Sequence, residues 1–133
     1  MSRGLSLQLP GQCWCGHGPT YQSCCEPIVS GQRPAATAEE LMRSRYSAFA
    51  VGDNRYLLES WDPNTRPTSI TISPGQRWTQ LQIVASSAGG SRDKFGTVEF
   101  IAHYVDGSAP GILRERSLFR RHQGQWVYVD AEP

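Results

Sequence analysis

Two hydrophobic rhythms divide this chain. Leu41, Met42, Arg45, Tyr46, Phe49 and Ala50 recur at helical spacing, whereas from Trp78 onward apolar side chains recur at every second position. Thr37 followed three residues later by Glu40 makes a capping box, in which a hydroxyl and a carboxylate satisfy N–H groups left free by the first turn. Gly52 supplies a stop, and Asp53 caps a second helix that runs through Tyr56, Leu57 and Leu58 to Trp61, with Pro63 ending it. The two helices are joined by a tight Gly-Asp corner.

Beyond Pro74-Gly75 the alternation predicts strands over 78–86, 97–105, 112–122 and 126–129, with the run 69–72 as a further candidate. Val98, Phe100, Ala102 and Tyr104 share one face of the second of these. In the third, Leu113, Glu115, Ser117 and Phe119 alternate against Arg114, Arg116, Leu118 and Arg120. Residues 88–93, 106–111 and 122–125 read as loops and turns. Short turns between strands give an antiparallel meander. Helices first and strands afterwards give an α+β fold, a curved antiparallel sheet with the N-terminal helices packed on one face. Trp61, Trp78 and Trp126, with Phe100 and Phe119, are candidates for its core or for the wall of an apolar cavity.

Composition narrows the function. A chain of 133 residues with 38% hydrophobic and 19% charged residues fits a soluble globular domain with a small appendage. No apolar stretch reaches the ~20 residues that cross a bilayer. A net charge of +1 argues against bulk electrostatic binding to nucleic acid. Arg114, Arg116, Arg120 and Arg121 still make a basic strand face, read first as a solvated edge that discourages strand-to-strand aggregation. Along the chain, residues 1–10 read as a flexible lead-in, 11–30 as a metal-binding motif, 31–36 as a linker and 37–133 as the main domain.

The chemistry concentrates near the N-terminus. All four cysteines fall there, as Cys13-x-Cys15 and, eight residues on, Cys24-Cys25. Four thiolates converging on one point make a closed tetrahedral zinc cage, with no position left for water, so the ion is structural. Gly16, Gly18 and Pro19 let the chain reverse and return the second pair. Disulfides are the competing reading. Adjacent cysteines are poor partners for each other, and the opening Met1-Ser2-Arg3-Gly4-Leu5 has no apolar signal core, which favours a cytoplasmic, reducing setting. His17 is a minor alternative ligand.

The segment from Cys13 to Cys25 resembles the SEC-C motif, a zinc module known best from the C-terminal tail of the SecA translocation motor. With it, Ala38-Glu39-Glu40-Leu41-Met42-Arg43-Ser44-Arg45-Tyr46-Ser47-Ala48-Phe49 resembles the YchJ-like family, as do Glu115-Arg116-Ser117-Leu118-Phe119 and Gln125-Trp126-Val127-Tyr128-Val129-Asp130. That family joins a SEC-C motif to a nuclear-transport-factor-2-like domain. Trp14-Cys15-Gly16-His17 departs from its more usual Pro-Cys-Gly-Ser. The resemblance implies a cone-shaped fold with a pocket in its open mouth, and it implies no particular reaction.

Candidates for that pocket are Arg45, Tyr46, His103 and Glu115. Glu115 alternates with apolar neighbours and so faces inward, where Arg45 would meet it as a buried pair, structural in the first instance. The function expected is a binding module. A zinc-ordered knuckle would present Trp14, His17 and Tyr21 to a protein partner, as the similar motif in the SecA tail contacts a chaperone and the ribosome, and the pocket would take a small ligand. The alternative is a small-molecule enzyme of isomerase, dehydratase or hydrolase type with Glu115 or His103 as base. Nucleic-acid association through the arginine face ranks third.

Overall fold

The computed structural model describes Ser6–Leu7 and residues 12–132. Strand β1 (Ser6–Leu7) is followed by helices α1 (Glu26–Val29), α2 (Ala38–Val51) and α3 (Asn54–Glu59), then by strands β2 (Gln76–Ala88), β3 (Phe95–Asp106), β4 (Ala109–His122) and β5 (Gln125–Ala131). The strands form one antiparallel sheet in the order β1-β2-β3-β4-β5. This is the α+β meander that the two rhythms predict. Within the stretch expected as a lead-in, Ser6 and Leu7 pair with Leu81 and Gln80 of β2; the rest of that stretch lies outside the described residues.

The helix signals act where the sequence places them. Thr37 accepts the Glu40 N–H at 3.1 Å and caps α2. Glu40 reaches back one residue further than a standard capping box, accepting the Ala36 N–H at 3.0 Å. Gly52 closes α2 at φ 80°, and Asp53 accepts the Tyr56 N–H to open α3. α3 ends at Glu59, short of the expected Trp61, because the next backbone groups are taken by the sheet. Tyr128 donates to the Ser60 carbonyl and Asp62 donates to the Tyr128 carbonyl, at 2.9 and 2.7 Å. Asp62 then holds Arg120 by two bonds, at 2.5 and 2.8 Å.

The strands run longer than predicted because their turns are tight. β3 and β4 are joined at Gly107-Ser108 rather than by the six-residue turn expected, with Gly107 left-handed, and β4 and β5 at Gln123-Gly124, where both residues are left-handed. Residues 69–72 form no strand; Ile70 and Ile72 pack on the core from a loop. Register shifts leave Thr79 and Val84 of β2 and Val129 of β5 without a partner across the ladder, as at β-bulges. On its inner face Val98, Phe100, Ala102 and Phe119 are buried under α2, and Leu81 joins them. The core is continuous with the N-terminal segment, since Cys13, Cys15, Cys25, Ile28 and Val29 belong to the same buried cluster.

Candidate functional site

The cysteine segment is folded by its own backbone. Gly16, at φ 78°, donates to the Cys13 carbonyl at 2.9 Å, and Cys13 donates to the Gly18 carbonyl at 3.3 Å, which reverses the chain directly after Cys15. A turn at Tyr21 brings the second pair back, with the Cys24 N–H on the Tyr21 carbonyl at 3.1 Å. Cys25 is the N-cap residue of α1. All four Sγ atoms lie within 4.8 Å of one another, with Cys15 to Cys24 at 3.6 Å and Cys24 to Cys25 at 3.9 Å. A tetrahedron of sulfurs about 2.3 Å from its centre has edges of about 3.8 Å. The same separations are far too long for a disulfide, and all four cysteines are free. The donor set therefore fits a metal ion, and Cys13, Cys15, Cys24 and Cys25 are the residues that would hold it. His17 is exposed and stands outside the cluster.

The sulfurs are electrically unbalanced on their own. Thiol hydrogen bonds from Cys15 and Cys25 hold the Cys13 thiol far below its ordinary range. Burial, and then the charges of Cys15 and Cys13, push Cys24 up to about 12, and the thiol contacts with Cys13 and Cys15 raise Cys25 strongly. Thiols this close cannot all ionise beside each other, and a bound cation reverses that preference.

The cluster is seated on α2. Ser47, fully buried, places its hydroxyl 3.6 Å from Cys13 Sγ, and Arg43 donates to the Cys15 carbonyl at 3.0 Å while bonded to Glu39 at 2.9 Å. Glu39, Arg43 and Ser47 are four apart, one stripe of the helix. A second stripe, Met42, Arg45, Tyr46 and Phe49, walls a cavity of about 300 Å³ between α2 and the inner face of the sheet. Trp78, Phe100, Leu113 and Phe119 complete its apolar wall, and Glu115 brings a carboxylate into it.

Arg45 and Glu115 both line this cavity without meeting. Arg45 is 5% exposed; its Nη1 donates to the Leu57 carbonyl at 2.7 Å and to Ser60 Oγ at 2.6 Å, and its guanidinium lies 4.9 Å from the Trp61 ring centre and 4.7 Å from that of Tyr128. Glu115 Oε2 accepts from Tyr128 Oη at 2.8 Å and Ser117 Oγ at 2.7 Å. The buried pair expected from the sequence does not form; α3 and its C-cap residue Ser60 supply the arginine's partners, and β5 and β4 supply the glutamate's. Burial lowers Arg45 to about 10, and it stays a cation at neutral pH. Burial and the Glu115 charge raise Tyr128, so its phenol keeps the proton it donates.

The other candidates separate. Tyr46 lines the cavity, its phenol raised by burial. His103 does not line it: β3 alternates, and His103 lies on the face opposite Phe100 and Ala102. Trp14 and Tyr21 are half-buried against the core instead of standing clear. The basic face is largely spoken for within the chain. Arg114 pairs with Glu99 and Arg116 with Glu132, Arg120 holds Asp62, and Arg121 clamps four backbone carbonyls over the Trp126 ring. Trp61, Trp78, Phe100 and Phe119 line the cavity, as their candidacy for an apolar wall allowed, whereas Ser47, Ser117 and Tyr128 were not singled out as site residues from sequence. Ser47 lies one turn from Arg43 on α2, and Ser117 alternates with Glu115; Tyr128 had no such local signal.

Known proteins match this architecture. The family model described as YchJ, middle NTF2-like domain, matches residues 37–131. A UPF0225 protein of Streptomyces coelicolor is 48% identical over 120 residues, covering 90% of this chain and 94% of its own length. Another, from Deinococcus radiodurans, is 41% identical over 121 residues, with 90% and 87% covered. The solution structure of a SEC-C motif containing protein from Rhodopseudomonas palustris is similar at a TM-score of 0.79 and 37% identity, over 90% of this chain and 96% of that one. A crystal structure of a SEC-C motif containing protein from Psychrobacter arcticus follows at 0.71 and 26%, over 85% and 72%. With an NTF2-like domain behind its cysteine cluster and relatives of this identity along most of its length, the chain belongs to the UPF0225 family of YchJ-like proteins.

Proposed function

We propose that this protein is a ligand-binding module whose N-terminal knuckle is held by one structural zinc ion on Cys13, Cys15, Cys24 and Cys25. The observation that carries the reading is the seating of four converging sulfurs on the same helix that walls the cavity. An all-thiolate, four-ligand shell suits zinc and leaves no position for water, so zinc would supply shape and not Lewis acidity. Unbridged thiols at these separations support a reducing compartment such as the cytoplasm. Metal analysis of the purified chain should find about one zinc per protein, and Cys13→Ser should lose most of it. Metal-free wild-type protein with an unchanged spectrum would overturn the zinc assignment. For the cavity, toluene as a plain apolar probe should shift the NMR signals of Trp78 and Phe100; no shift at saturation would remove the ligand-binding reading.

A protein partner at the knuckle is the second reading. His17, Pro19, Thr20, Gln22 and Ser23 are exposed around the sulfurs, which supports a docking loop. Trp14 and Tyr21 have less to offer, being half-buried. Capture experiments with wild type and a Cys24→Ser, Cys25→Ser double mutant test it; a partner retained by the double mutant would not belong to the knuckle. An enzyme with Glu115 as base draws on the same cavity but has less support, because two hydroxyl donors already occupy one oxygen of that carboxylate.

A further inference from the structure

The polar groups of the cavity point to a particular class of guest. Arg45 spends Nη1 on Leu57 and Ser60, while its Nε and Nη2 have no hydrogen-bond partner among the described residues. Its neighbours Trp61 and Tyr128 cover the flat guanidinium, which leaves the in-plane N–H edge as the part able to bind. Glu115 mirrors this. Oε2 takes both hydroxyls, and Oε1 has no partner among the described residues. A third group is also unsatisfied: Trp61, which lines the cavity, has a buried Nε1–H with no acceptor among the described residues. Buried donors are ordinarily paired, and a buried cation sharing one apolar cavity with a half-buried anion would ordinarily close on it. Here both are held apart by partners from different elements, each with unused bonding capacity.

We propose that the cavity binds a small, uncharged, mainly apolar molecule bearing a hydrogen-bond acceptor next to a donor, of the carboxamide class. The acceptor seats on the free edge of Arg45 and the donor bonds Glu115 Oε1. Charge selects this class. A carboxylate guest meets Arg45 but also the fixed charge of Glu115, an ammonium guest meets the reverse, and a hydrocarbon leaves both groups unsatisfied. Aromatic and aliphatic walls accept a ring or a branched chain, and about 300 Å³ is at the small end of ligand sites. This rests on the cavity being open to ligands, as proposed above.

The test compares five probes of one ring each, benzamide, toluene, benzoate, benzylamine and phenylalanine, titrated into the zinc-loaded full chain and followed by tryptophan fluorescence and NMR shifts. Benzamide should bind at least about tenfold more tightly than each of the others. Equal affinity for toluene, tighter binding of benzoate or of zwitterionic phenylalanine, or no binding of benzamide overturns the class. If toluene still binds in that case, the ligand-binding reading survives it; if no probe binds, both fall. Glu115→Gln supplies the second arm. Its amide oxygen can accept from Tyr128 and Ser117, which turns an N–H donor toward the guest. Benzamide should then weaken about tenfold and benzoate should gain. An unchanged preference in a variant with a native-like spectrum counts against the proposal, and the wild-type series decides it independently should this variant not fold.

Discussion

Gly18 is required by its neighbour and not by its own backbone. A Cβ there would lie 2.5 Å from Cys24 Cβ and 2.8 Å from its sulfur, so Gly18→Ala must push that sulfur out of the cluster. Zinc affinity measured against a chromophoric chelator should fall by about tenfold or more, the size of effect that supporting residues have at metal sites. Unchanged affinity would mean that the loop yields without moving the sulfur. Asp62 is a comparable case in the body of the fold. It is 3% exposed, and the bonds from Arg120 hold its carboxyl well below the usual range, at about 2. A carboxyl lowered on folding adds stability above its unfolded pKa of about 4, and that stability is lost as pH falls toward 2. Urea unfolding of wild type and Asp62→Asn should therefore differ clearly at pH 6, by about 2 kcal/mol, and converge near pH 2. A gap independent of pH would show that the pair's charge is not what stabilises.

Helix α2 works on more than one face at once. Glu39, Arg43 and Ser47 hold the knuckle, Met42, Arg45, Tyr46 and Phe49 wall the cavity, and Ser44 bonds Tyr56 of α3 at 2.6 Å. Ser47→Ala should leave zinc stoichiometry at one while weakening affinity several-fold, since a thiolate loses a hydroxyl donor but no ligand is removed. Stoichiometry that drops with the mutation would instead place Ser47 among the determinants of the fold. Both helix starts and the stop between them were legible, because Thr37, Glu40, Gly52 and Asp53 act on backbone groups within four residues of themselves. The misses have distant causes. α3 stops early because β5 takes the backbone after it, residues 69–72 lack a strand to pair with, and the pairing of Ser6–Leu7 depends on an edge of β2 more than seventy residues away.

The two functional regions differ in how far sequence alone could carry them. The sulfurs sit within a thirteen-residue segment, so spacing and turn formers are enough to bring them together. The cavity is assembled from α2, the segment after α3, and four strands, and its polar logic depends on which partner each group meets. Alternation puts Glu115 on the inner face, but only the observed register and helix placement show that Arg45 turns to Leu57 and Ser60 while Tyr128 reaches Glu115. Because the cysteines, α1, α2 and the sheet share one buried cluster, the knuckle is not free to melt alone. Calorimetry should show a single transition with metal bound. Stripping zinc with a chelator should move that whole transition down, not create a separate early one. Metal binding counts as folding free energy when the unfolded chain cannot hold the ion. Globular domains of this length have unfolding entropies of about 0.28 kcal/mol per kelvin, so losing even about 3 kcal/mol lowers Tm by about 10 °C. Two resolved transitions, or an unmoved one, would show that the sulfurs and the sheet fold as independent units despite their common core.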